Sequence, residues 1–199
     1  MVQQLKMKGW SVPGIGLAAV LSLGLVVTGC GGGGSSAAST PTATVGGSAG
    51  DGPIVNGTVT VTDASGATIG TATTDANAHY SVKVPVTATL PLTVTITGGI
   101  DQVTGNAPDF PLKTAVTTAL STITATNANA NPLSTLAVEV AKALGGVTAA
   151  NLTTAVANVR NSLGFGLSFD PISTKIDGTN VASAIKANEA VAELIRRAK

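Results

Sequence analysis

Alternation of apolar and polar positions dominates the middle of the chain. Val55, Gly57, Val59 and Val61 fall on one parity, and Asn56, Thr58, Thr60 and Thr62 on the other. A period of two with β-branched residues on both faces predicts a strand. Asp63-Ala64-Ser65-Gly66 predicts a turn, Thr68–Thr73 a second strand, and Asp75-Ala76-Asn77 another turn. His79–Val84 alternates again, with Tyr80, Val82 and Val84 together. Leu90, Leu92, Val94 and Ile96 form the clearest inward row, bounded by Gly98-Gly99. Residues 98–111 read as a loop ending in Phe110-Pro111. Thr114–Thr126, with Val116, Leu120 and Ile123 as apolar points, predicts one or two closing strands. Strands spaced about ten residues apart with turn signals between them predict a small antiparallel sandwich.

Past residue 126 the period changes. Asn131-Pro132 fits a helix N-cap followed by proline at the first helical position. Leu133, Leu136, Val140 and Leu144 recur at helical spacing, with Ala137 and Ala141 beside them, and Gly145-Gly146 stops the run. Thr148 caps a second helix whose stripe is Leu152, Val156, Val159 and Leu163, with Gly164 at its end. Asp170-Pro171-Ile172-Ser173 begins a connector. A third helix starts near Asn180, with Val181, Ile185, Val191, Leu194 and Ile195 as candidate core positions. The stripes are narrow and Ala-rich, so these helices are expected to pack closely on each other or on the sheet. The fold class is therefore α+β: a sandwich over 52–126, then a three-helix segment over 127–199.

The first thirty residues have a different organisation. Met1 to Trp10 is polar, with Lys6 and Lys8 and no acid, and Gly14–Val27 is an apolar run of 14 residues. As a helix that run spans about 21 Å, short of a hydrocarbon core of about 30 Å. A basic end, a short apolar run and then Val27-Thr28-Gly29-Cys30 mark an export signal. These residues resemble the bacterial lipoprotein signal peptide, whose lipobox is an apolar residue, a small residue, Gly or Ala, then Cys. The resemblance implies that Val27, Thr28 and Gly29 are read by the signal peptidase. Residues 1–29 would be removed, and Cys30 would carry a diacylglycerol and an acylated amine. Gly31 follows, and it does not resemble the Asp of the inner-membrane retention signal, which implies the outer membrane or cell surface in a Gram-negative host. Residues 30–51 are rich in Gly, Ser, Ala and Thr and are expected to form a flexible tether.

A second resemblance covers about 50 residues. Gly57-Thr-Val-Thr-Val-Thr-Asp63, Gly70 and Thr74-Asp75-Ala-Asn-Ala-His-Tyr80-Ser-Val82 are similar to the carboxypeptidase regulatory-like domain. That domain is a transthyretin-like sandwich, and its members are mostly not enzymes. Ala78 stands where the family has Gly, so the turn is expected to differ there. Asn129-Ala130-Asn131-Pro132-Leu133-Ser134-Thr135-Leu136 also resembles a segment of bacterial surface lipoproteins in which a sandwich strand runs into a helix.

Charge and chemistry add few candidates. The net charge is +1, and Lys6 and Lys8 are two of the eleven bases, so the remainder is slightly acidic. No field of either sign points to nucleic acid. Cys30 is the only cysteine, which excludes an intramolecular disulfide. His79 is the only histidine, and neither a cysteine nor a second histidine stands near it to complete a zinc site. Parity points it away from Tyr80, toward solvent. Asp63, Asp75, Asp101 and Asp109 lack the spacing of a calcium loop and read as turn residues. No G-x-S-x-G elbow or paired carboxylates suggest catalysis. The expectation is a non-enzymatic chain with no cofactor and no metal. It is held at a membrane by its N-terminal lipid and serves as a binding or structural module of the cell envelope, for a polymer or protein ligand. The alternatives are an accessory subunit of a surface complex and, further off, an envelope hydrolase.

Overall fold

The computed structural model describes residues 39–175 and 178–198. Val27, Thr28, Gly29 and Cys30 lie outside the described residues. Residues from Ala38 onward form one compact unit. Nine strands precede three helices among the described residues: β1 (Thr42–Ser48), β2 (Ile54–Val55), β3 (Thr58–Thr62), β4 (Thr68–Thr73), β5 (His79–Pro85), β6 (Leu92–Thr97), β7 (Ile100–Asp101), β8 (Leu112–Val116), β9 (Thr126–Asn127), α1 (Pro132–Ala143), α2 (Ala149–Leu163) and α3 (Val181–Arg197). The class is α+β. None of these helices is long and apolar enough to cross a membrane.

A four-stranded antiparallel sheet has the order β4-β3-β6-β8, and a second sheet has the order β5-β1-β9. Val59 pairs with Ile96 and Val61 with Val94, so the alternation read along each strand becomes a continuous apolar face across the sheet. That face, with Tyr80, Val82 and Val84 of β5 and Ala43 and Val45 of β1, builds one buried cluster. A second cluster joins Ala115 of β8 to Leu133, Ala137, Val138 and Ala141 of α1, Leu152, Ala155 and Val159 of α2, and Ala187 and Val191 of α3.

The tether expectation fails over Thr42–Ser48, which is strand β1, antiparallel to β5 and parallel to β9. Its glycines permit close approach rather than flexibility. A Cβ on Gly46 would lie 2.9 Å from the Tyr80 carbonyl oxygen, and one on Gly47 would overlap the Ala128 carbonyl. The Ala78 expectation is also corrected. Alanine is accommodated at positive φ: Ala78 takes φ +59°, in the left-handed region that glycine favours, at a cost of about 1–2 kcal/mol. Around it, Asp75 Oδ1 accepts from the backbone N–H groups of Asn77 and His79 (both 2.8 Å), and buried Thr74 Oγ1 accepts from Gly57 N at 2.8 Å.

The helix positions hold, but their faces are rotated. On α1 the buried positions are Leu133, Ser134, Ala137, Val138 and Ala141, while Leu144 is exposed. On α3 they are Ala184, Ala187, Asn188, Val191 and Ala192, while Leu194 is exposed. Small residues allow close packing against the sheet, and larger ones move to the rim. Ile123, an apolar point of the predicted closing strands, is exposed.

Candidate functional site

The Asn131 segment is the better satisfied of two buried polar clusters. Asn131 caps α1: its Oδ1 accepts from Ser134 N at 2.8 Å, and its own N–H donates to Ser134 Oγ at 2.8 Å. Its Nδ2 donates to Pro171 O at 2.9 Å, and Ser134 Oγ donates to Lys113 O of β8 at 2.6 Å. Two residues earlier, Asn129 Oδ1 accepts from Ser48 N and Oγ of β1 at 3.1 and 3.0 Å, and its Nδ2 donates to Thr174 O at 2.6 Å. The Asn-x-Asn-Pro-Leu-Ser motif thus ties β1, β8, α1 and the 171–174 turn together, with its amides and hydroxyl satisfied. Tyr80 Oη donates to Ala128 O beside it, and burial pushes the tyrosine pKa up.

The second cluster is not satisfied. Asp51 lies in the tight Gly50-Asp51-Gly52 link between β1 and β2 and is 4% exposed. Its Oδ2 accepts from Arg196 Nη2 at 3.1 Å. Arg196 also lies 2.9 Å from Asp109 Oδ2, 3.0 Å from Glu193 Oε2 and 3.9 Å from Glu189 Oε2. Asp51 Oδ1, Asn188 Oδ1 and Glu189 Oε1 are buried without a hydrogen-bond partner. Burial, reinforced by the charge of Glu189 and opposed by Arg196, pushes the Asp51 carboxyl up to about 6. Asp51 and Asn188 line a cavity of about 210 Å³ whose walls are residues 48–53 and 77–79 and the first turns of α3.

Comparisons with protein-family models, with curated proteins and with solved structures found no match.

Asp63 and Asp101 serve their own turns: Asp63 Oδ1 accepts from Ser65 N at 2.9 Å and Asp101 Oδ1 from Val103 N at 2.8 Å. Hydrogen bonds to Asp63, first from Ser65, hold its carboxyl below the usual range, and those from His79 and Asn77 do the same for Asp75. Asp109 lies in the bend before β8, with its Oδ2 2.9 Å from Arg196 Nε. His79 is exposed at the rim of the Asp51 cavity. Among the described residues no three His, Cys, Asp or Glu side chains converge as metal ligands do. Asp51 and Asn188 had no place among the candidates. Asn188 had one legible signal: it continues the Ala184, Ala187, Val191 face of α3, so helical spacing alone buries it. Chemically, the site is an acceptor-rich recess with one carboxyl that burial pushes up to about 6.

Proposed function

We propose that this chain is the precursor of an exported lipoprotein. Its Cys30 thiol carries the lipid, and the part from β1 onward is a transthyretin-like sandwich with a helical cover. That part serves as a non-catalytic binding or structural module of the cell envelope. The observation that carries the reading is the order of a basic end, an apolar run of 14 residues and Val27-Thr28-Gly29-Cys30. Two or three acyl chains, at about 0.8 kcal/mol per buried CH₂, give lasting attachment where one chain gives only marginal binding. The twelve residue steps from Cys30 to Thr42 reach at most about 40 Å, so a lipid at Cys30 keeps the module close to the bilayer.

Two features support the sandwich. The faces of the two sheets share one apolar cluster, and the Thr74-Asp75 turn joins β4 of one sheet to β5 of the other. A recess with unsatisfied acceptors supports binding as the role. A second reading, an accessory subunit recruited by strand addition, draws on β4, which lies at the edge of its sheet.

Fractionation tests the anchor. The wild-type chain is expected in the membrane pellet after high-salt washing, extracted only by detergent. Cys30→Ser is expected in the soluble or unprocessed fraction. Equal partitioning of the two with the leader removed from both would remove the proposal's foundation.

A further inference from the structure

We propose that the cavity beside Asp51 and Asn188 binds a small alkylammonium compound: a primary amine on a short apolar stem. The inference builds on the binding-module reading but not on the lipid anchor. Hydrogen-bonding capacity is the first reason. Asp51 and Asn188 are 4% and 6% exposed, both line the cavity, and each has an oxygen without a partner. Buried acceptors left without donors are costly, and proteins rarely keep two at one place without a guest or water to supply the protons. Each oxygen is itself shielded from solvent, so binding requires the Asp51 and Asn188 side chains to turn toward the guest.

Charge narrows the guest. Asp51, Asp109, Glu189 and Glu193 all face Arg196, and the neighbouring Arg197 is engaged by Glu193 at 2.6 Å. Of these groups Asp51 alone lines the cavity, and among the described residues no Lys or Arg lines it beside Asp51, which disfavours an anion and favours a cation that brings N–H donors. An ammonium has three donors and stays protonated below a pKa of about 10, as lysine does. A calcium ion wants six to eight oxygens, more than this recess provides. The remaining wall fixes the rest of the ligand. Ala49, Pro53, Val181, Ala184 and Ile185 supply an apolar lining for a hydrocarbon stem. At about 210 Å³ the cavity is smaller than the roughly 300–1,000 Å³ of pockets for drug-sized molecules.

The test uses the full chain, ¹⁵N-labelled, in a nonionic detergent, titrated with pentylammonium chloride, 1-pentanol and pentanoate. The amide resonances of Gly50, Gly52 and Gly178 report on the cavity. Pentylammonium is expected to shift them saturably, pentanoate not at all, and pentanol to bind at least about tenfold more weakly, the ratio for loss of a charge-assisted hydrogen bond. Asp51→Asn is expected to weaken pentylammonium by about tenfold as well. Asn188→Asp adds a carboxylate and is expected to tighten it, which keeps the proposal open to refutation if Asp51→Asn fails to fold. Absence of saturable shifts, equal binding of pentanol and pentylammonium, or no gain in Asn188→Asp would overturn the site. Such a failure with Cys30 lipidated would leave the anchor standing. Amine binding by a chain without lipid would leave the site standing and sink the anchor.

Discussion

Two buried polar clusters hold helices against the strands, and they do so in opposite ways. The Asn131 cluster pins α1 with amides and a hydroxyl whose bonds are all made within the protein. The Asp51 cluster pins α3 through Arg196 and leaves three acceptor oxygens unanswered. A satisfied network rigidifies the chain and specifies one packing, whereas a partly satisfied one gives up stability. The first is architecture. The second has the character of a site, where the fold tolerates poor internal bonding.

The contrast can be broken first at its strong end. Asn131→Ala removes the helix cap, leaves Ser134 N without its acceptor, and leaves Pro171 O only the longer bond from Asn129 Nδ2 at 3.4 Å. We expect a loss of about 2–4 kcal/mol in urea unfolding, combining a lost cap with a newly unsatisfied buried group. A loss of a few tenths would mean that the network is ornamental.

Asp51→Asn sharpens the comparison with a smaller effect of opposite sign. The folded chain raises the Asp51 pKa from its ordinary 3.8 to about 6. The folded state therefore holds this proton more tightly than the unfolded state. Its contribution is fully present below about pH 4 and is lost as pH rises through about 6. The asparagine variant, which keeps an acceptor for Arg196, is expected to exceed the wild type by on the order of 2 kcal/mol at pH 7. The two should converge near pH 4. The wild-type profile alone does not isolate this group, because Asp63, Asp75, Glu139 and Glu193 are held low by hydrogen bonds and lose stability in the opposite direction, as pH falls. Urea unfolding of both proteins across pH 4–7 gives the difference directly. A variant less stable than the wild type at pH 7 would show that Asp51 is a structural ion-pair partner after all.

The same contrast explains what could be read from the amino acids alone. β3 to β6 were legible because Val59, Val61, Val82, Val84, Val94 and Ile96 alternate locally, and the helix starts because Asn131 and Thr148 cap within three residues. β1 was not legible. Gly46 and Gly47 look like tether residues until the carbonyls of Tyr80 and Ala128 are known to press on them from distant strands. The faces of α1 and α3 were misread for a related reason: close packing selects alanines, so Leu144 and Leu194 stand outside. Asp51 was invisible because its partner Arg196 is 145 residues away and its burial depends on α3 closing over a Gly-Asp-Gly turn. Local pattern reveals elements; it does not reveal which turn will be covered.

The proposed lipid at Cys30 would hold this module at a membrane, and the mass of the N-terminal peptide decides whether it is there. Purified from membranes and digested, the chain is expected to begin at Cys30 and to carry a diacylglycerol plus an acyl chain on its amine. A peptide that retains residues 1–29 and has an unmodified Cys30 would contradict the account.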